Sequence, residues 1–522
     1  MGNQLNGAVS ARLFHIVLRL PAALLKGLKN VGNTAGQTYE TAGSPPGMIG
    51  KAFGWPPPKT TRETAWLDGL RGIAAFLVMA FHYNMSFLGF YAEAPYSSTL
   101  LPKNEVTYAL WRLPIVRFLI CSGHAQVSTF FVLSGFVLSW NSFAHIRTTQ
   151  AESKLLSSLS SATVRRWFRL YIPCFVVGIS SFWELRLGLQ EKLGVTYYPN
   201  FFHQLWDYIV ASEEFSRPLM RDRKYPNWIH KYNWVMWTIP LEFEGSLLVF
   251  VVLLALARTN SYTRRTLVLS CLATYSSICG YWVYWLFTSG MLAADYVKEA
   301  GGFVQLTQKT TASSRSAWWT LLLLGVLMAG VPMPTPKYWN RPGYGFLDSL
   351  TPSSYAEQEG GARFWWSISG ILILISGCHL QRIQTICESS VARYLGRISF
   401  MLYLTHVSVP LYTVNPFRQW YSSIWGQKYY DQVFEREMYE FKPMAGMVFF
   451  CLSWISALIP AIFVAHWCEV WIDRPSLRLA KWIETKFIDN ESTPMVNQVD
   501  VARASEHESA ILLPVYTTTH SE

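Results

Sequence analysis

The sequence predicts an all-α protein, a polytopic bundle of about ten transmembrane helices with both termini on the cytosolic side. Three observations point there. Of 522 residues, 51% are hydrophobic and only 15% are charged, against about 25% charged in soluble domains. Apolar runs long enough to cross a bilayer recur between residues 70 and 470. Between them lie short segments rich in arginine and lysine, the bias that marks cytosolic loops. The net charge of +11 belongs to those segments and to the anionic lipid they face. No RNA-binding signature, zinc spacing or Gly-rich phosphate loop accompanies it, so no nucleic-acid partner and no metal is expected. The eight cysteines fall mainly in apolar runs without paired spacing, which suits packing rather than redox chemistry.

The elements follow in order. Residues 1–63 form an N-terminal segment and linker. Within them, 9–29 is apolar but interrupted by Arg12, Arg19, Lys26 and Lys29 and broken at Pro21. That pattern fits a basic amphipathic helix lying on the membrane surface, not a cleaved signal or a span. The stretch 31–64, with Pro56-Pro57-Pro58, reads as a linker. A transmembrane domain occupies 64–484, with apolar runs at about 70–90, 125–143, 168–184, 237–257, 266–292, 316–334, 363–380, 398–414 and 444–470. These are nine, but the basic segments 144–167, 258–265, 381–397 and the one after 473 share a side only if 266–292 is a tight helix pair broken near Gly280. Twenty-seven residues are thin for two crossings, which leaves room for one to be re-entrant or shortened. No internal repeat of the transporter kind is present. Residues 485–522 are polar and poor in aromatics, a disordered tail.

The first span carries the most informative pair. Arg71 and His82 stand eleven residues apart in Trp66-Leu67-Asp68-Gly69-Leu70-Arg71-Gly72 and the apolar stretch that follows. Eleven steps of about 100° make three turns plus about 20°, so both side chains share one helix face, roughly 16 Å apart along the axis. Arg71 then sits near a membrane surface and His82 near mid-bilayer, where a titratable group is costly and reads as functional. The second span holds Phe130-Phe131-Val132-Leu133-Ser134-Gly135-Phe136, whose small residues admit a neighbouring helix. Arg165-Arg166-Trp167-Phe168-Arg169 then places three arginines at a membrane face, suited to multidentate phosphate binding or to topology signalling alone. Trp237-Thr238-Ile239-Pro240-Leu241-Glu242 brings a carboxylate to the mouth of the fourth span. Ser399, Tyr403 and His406, spaced by four and three, lie roughly on one face of a later helix.

Taken together, these motifs resemble the acyltransferase-3 family of integral-membrane O-acyltransferases. The first and last elements are specific; the others are weak alone. Thr238 replaces the usual Ser, Phe400 a Tyr, and Asp473-Arg474-Pro475 stands where Glu-Arg-Pro is common. The long polar ends and aromatic-rich loops look most like fungal members, which acylate hydroxyls of small secondary metabolites. The resemblance implies transfer of an acyl group, acetyl above all, from acyl-CoA as co-substrate to a hydroxyl of a small hydrophobic metabolite, with no resident cofactor. His82 is expected as general base, imidazole having the right pKa near neutrality. Arg71, with Arg165, Arg166 and Arg169, is expected to hold the donor. Glu242 is expected to orient a histidine or bind the acceptor, and Ser399, Tyr403 and His406 to complete a polar pocket, with helix-bridging hydrogen bonds as the alternative. Asp68 is expected to cap the span or pair with Arg71. The expected setting is the bilayer of the endoplasmic reticulum or another endomembrane. Two rivals also need buried His, Arg and Glu: a proton-coupled transporter or flippase, and a carrier passing acyl groups to a lumenal acceptor.

Overall fold

The computed structural model describes residues 48–57 and 62–487, with interruptions at 89–91, 102–103, 148–151, 189–194, 218–228, 336–338, 432–435 and 441–442. The expected amphipathic segment 9–29 lies outside the described residues, as does the expected tail 485–522 from residue 488 on; its residues 485–487 are the end of a helix. The chain forms two units, one holding Met1–Pro58 with Val515–Glu522 and the other Lys59–Pro514. Of the first, the short helix Met48–Phe53 is described. The rest concerns the second.

It is built from helices, with two small antiparallel hairpins at 99–106 and 427–440. The main helices are α1 (Ala65–Leu88), α2 (Gly123–Ile146), α3 (Glu152–Arg186), α4 (Phe201–Phe215), α5 (Thr238–Ala255), α6 (Tyr262–Ile278), α7 (Trp282–Glu299), α8 (Ala312–Ala329), α9 (Ala362–His379), α10 (Ser390–Thr405), α11 (Ser408–Trp425), α12 (Pro443–Cys468) and α13 (Arg474–Phe487). By length and composition, six helical stretches among the described residues are apolar enough to cross a membrane: those of α1, α2, α3, α5, α9 and α12. This is an integral membrane protein.

Three differences from the expected elements have physical causes. The break in 266–292 falls at Gly280, whose φ of 77° ends α6, and the pair extends outward to Tyr262 and Glu299, giving 17 and 18 residues instead of a cramped 27. The basic stretch 144–167 is not a loop beyond residue 152. It is the first half of α3, 35 residues long, because Leu155 and Leu159 bury against the bundle and hold it helical. The stretch 381–397 is likewise largely helical, since the Ser389 hydroxyl caps α10 by accepting from the Ala392 amide at 3.3 Å.

Two of the basic segments meet at one end of the bundle. There Arg265 pairs with both carboxylate oxygens of Asp295 (2.9 and 3.0 Å), which also accepts from Arg147 at 2.9 Å. This joins the end of α2, the start of α6 and the end of α7. The start of α1 is tied in through Trp66, edge-on to Phe303 at 5.4 Å, and the end of α9 through His379, 3.3 Å from Thr310 just ahead of α8.

Two close helix contacts fix the interior. A methyl on Gly135 of α2 would lie 2.1 Å from the Phe287 carbonyl oxygen, and one on Gly290 of α7 2.1 Å from that of Val132. The small residues of Ser134-Gly135 therefore do admit a neighbour, and it is α7. Equally, a methyl on Gly72 of α1 would lie 2.1 Å from the Gly396 nitrogen of α10. Replacing Gly290 with Leu is expected to destabilise by about 1–3 kcal/mol or more, since backbone on both sides cannot yield. Thermal unfolding in detergent reads this directly, and an unchanged midpoint would refute the contact.

Candidate active site

Helices α1 and α10 run parallel, joined at Gly72 and Gly396, and this positions the site. Arg71 and His82 both face α10, as their spacing requires. Arg71 Nε donates to Ser399 Oγ at 3.2 Å, and an Nη donates to Asp68 Oδ1 at 3.1 Å. Asp68 thus pairs with Arg71, and its other oxygen accepts from Arg62 at 2.9 Å. His82 is half-buried, its ring 5.1 Å from that of His406 and 5.2 Å from Trp234.

The arginines of α3 divide. Arg166 is 4% exposed. It donates from Nε to Ser246 Oγ at 2.8 Å and from an Nη to Glu242, both on α5. Glu242 is therefore tied to an arginine and not to a histidine. Arg165 turns the other way, to Glu484 of α13 at 3.1 Å. Arg169 keeps a buried Nη without a hydrogen-bond partner among the described residues, in electrostatic contact with Asp473, Arg166 and Arg71.

Two cavities open between these helices. The larger is lined by Arg71, Ser134, Glu242, Ser399 and Tyr403 together with apolar side chains such as Phe130 and Ile239. The smaller is lined by Asp68, Arg71, Ser134 and Arg166 among others. They share Arg71 and Ser134; the smaller also meets Asp68 and Arg166, and the larger is mainly apolar. Tyr403 closes the far wall. Its hydroxyl donates to the Val235 carbonyl at 2.8 Å and accepts from Thr238 Oγ1 at 2.7 Å, so the Thr in place of Ser keeps the hydroxyl this bridge uses.

Of the residues expected at a site, Arg71, Glu242, Ser399 and Tyr403 share the larger cavity, and Arg166 joins through Glu242. His82 and His406 lie beyond Tyr403, His406 5.7 Å from it ring to ring. Sequence reasoning missed Ser246, Asp473 and Glu484 as members of the charged network, and Ser134 as a wall of both cavities. Ser134 carried a signal, its place beside Gly135 in a tightly packed motif. Ser246 and Glu484 carried none, since their partners lie 80 and more residues away.

The site is thus an internal cavity among apolar helices, with Arg71 in its wall. The chain belongs to the acyltransferase-3 family: the model of that family, an acyltransferase domain, matches residues 64–468, and the protein is an acyltransferase. It is similar to O-acetyltransferase PaAT-1 of Phomopsis amygdali, 26% identical over 467 residues, covering 84% of this chain and 87% of the relative. Acyltransferase clz18 of Cochliobolus lunatus is 25% identical over 67% of this chain and 83% of its own length. Acyltransferase R4 of a Phoma species gives the same figures. No solved structure matches the chain.

Proposed function

We propose that the protein transfers an acyl group, acetyl in the first instance, from acyl-CoA to a hydroxyl of a small hydrophobic metabolite, a secondary metabolite by its fungal relatives. One observation carries this reading: Arg71 and Ser134 line two neighbouring cavities, of which the smaller also meets Asp68 and Arg166 and the larger is mainly apolar. An acyl-CoA has that same polarity, phosphates at one end and a thioester at the other end of a long arm. Arg71 and His82, roughly 16 Å apart along α1, would serve those two ends. Arg169 and Arg71 meet the phosphates by charge-assisted hydrogen bonds. The apolar walls receive the acyl chain and the acceptor. His82 takes the hydroxyl proton as the oxygen bonds the thioester carbon. The C–S bond breaks, and the proton passes to the departing thiolate. Arg166 and Glu242, bound to each other, hold α3 and α5 together beside the two cavities.

Purified protein supplied with radiolabelled acetyl-CoA and a panel of lipophilic alcohols tests the reading. Labelled ester supports it. Transport of either compound without ester formation would favour a transporter instead.

The acyl-CoA comes from the cytosol, so we place the basic end of the bundle there, with ten crossings and both termini cytosolic, in the endoplasmic reticulum or another endomembrane. Reporters fused before residue 60 and after residue 485 are then both expected in the cytosol, and a lumenal signal from the second would remove a crossing. Arg169→Gln is expected to raise the apparent KM for acyl-CoA about tenfold or more, one charge-assisted bond being worth about 1.5–3 kcal/mol. The acceptor's KM should stay unchanged. Equal shifts in both would show that Arg169 shapes the bundle and not the donor.

A further inference from the structure

His406 follows the last residue of α10, one turn beyond Tyr403, and its ring is held in one state. Its Nδ1 lies 2.6 Å from the Tyr403 carbonyl oxygen. A carbonyl only accepts, so Nδ1 carries the proton, and Nε2 of the neutral ring is left as an acceptor. That Nε2 is buried in a residue 2% exposed, and no group among the described residues donates to it. A buried acceptor without a donor is costly, and natural proteins keep few of them. Beside it stands the His82 ring, 5.1 Å between centroids and tilted 34°. His82 is only half-buried, and neither of its nitrogens has a hydrogen bond among the described residues. One imidazole with a fixed tautomer and an unused lone pair thus stands beside another, both beyond Tyr403.

We infer that His406 is the positioning partner of His82 and holds the proton in transit, an inference that rests on the acyl-transfer reading above. In the reacting state the His82 ring turns from its position here, where it makes no hydrogen bond to His406, to present a lone pair to the acceptor hydroxyl and an N–H to His406 Nε2. As the hydroxyl oxygen bonds the acyl carbon, its proton moves to His82, and the opposite N–H proton moves to His406 Nε2. When the C–S bond breaks, the proton returns through His82 to the sulfur. Nothing is oxidised, and the proton count is the same before and after. The Tyr403 carbonyl stabilises the charge that His406 gains by accepting from Nδ1–H.

Two amide variants of the full chain in nanodiscs separate this role from a structural one. His406→Asn keeps a donor where Nδ1 stood, and so the Tyr403 contact, but has nothing at the position of Nε2. His406→Gln reaches that position with an oxygen that accepts a hydrogen bond but no proton. The inference expects kcat to fall about 10²-fold in Asn, with the KM for acyl-CoA within about twofold, and a partial return of kcat in Gln. A structural role predicts the reverse order, Asn near wild type and Gln worse. Wild-type kcat in Asn, or Gln slower than Asn, overturns the inference alone. Should Asn fail to insert, Gln decides, and wild-type kcat there overturns it. A wild-type protein that forms no ester overturns the acyl-transfer reading and this inference together.

Discussion

His82→Ala is expected to abolish acyl transfer, lowering kcat by about 10² to 10⁴, the usual loss on removing a general base. Expression and insertion should survive, because the ring makes edge contacts with Phe81 and Trp234 and a tilted one with His406 but no hydrogen bond among the described residues. Activity within threefold of wild type, measured with acetyl-CoA and an accepted alcohol, would remove His82 from the chemistry. The position makes the test sharp. His82 lies beyond the cavity that holds Arg71 and Tyr403, so a loss of rate without a change in donor KM would locate the reacting bond at the histidine end.

The second large effect is expected at Glu242. Its carboxylate is the partner of Arg166, and both are buried. Glu242→Ala leaves a guanidinium inside the bundle with Ser246 alone to receive it, close to Arg71 and Arg169, which repel it. Breaking such a pair on one side costs about 3–5 kcal/mol. Replacing both partners, as Glu242→Leu with Arg166→Met, should recover most of that stability, since apolar groups of similar size often substitute for a buried pair. Activity should not return, because the polar wall of the cavity would be gone. Melting points of the three variants, with ester formation measured beside them, decide the matter. A double variant that is both stable and active would show the pair to be packing only.

How much of this was legible in the sequence depends on the range of each interaction. The common face of Arg71 and His82 followed from spacing within one helix, and the structure turns both toward α10. The closeness signalled by Ser134-Gly135 was legible because backbone contact demands glycine, although the identity of the neighbour, α7, was not. The break at Gly280 followed from the charge bias of distant segments, a global constraint that a sequence records well. What it does not record is who pairs with whom. Arg165, Arg166 and Arg169 look alike in the chain, yet one faces Glu484, one faces Glu242 and one keeps a donor without a partner among the described residues. Partners 76 and 319 residues off leave no periodic trace. The helical start of α3 was hidden for a related reason: its polar serines read as a loop, and only burial of Leu155 and Leu159 against the bundle makes it a helix.

The meeting of Gly72 with Gly396 has a mechanical consequence. It acts as a fulcrum between two stiff rods, and the two histidines ride on the far arms, ten residues away on each. A tilt of about 4° at a pivot about 15 Å distant moves those arms apart by about 1 Å, and misplacement on that scale can lower a rate about 10²-fold. Slight thickening at the fulcrum should therefore be felt first as lost turnover, while the bundle still folds. The glycines so far from the reacting bond set the calibration of the instrument.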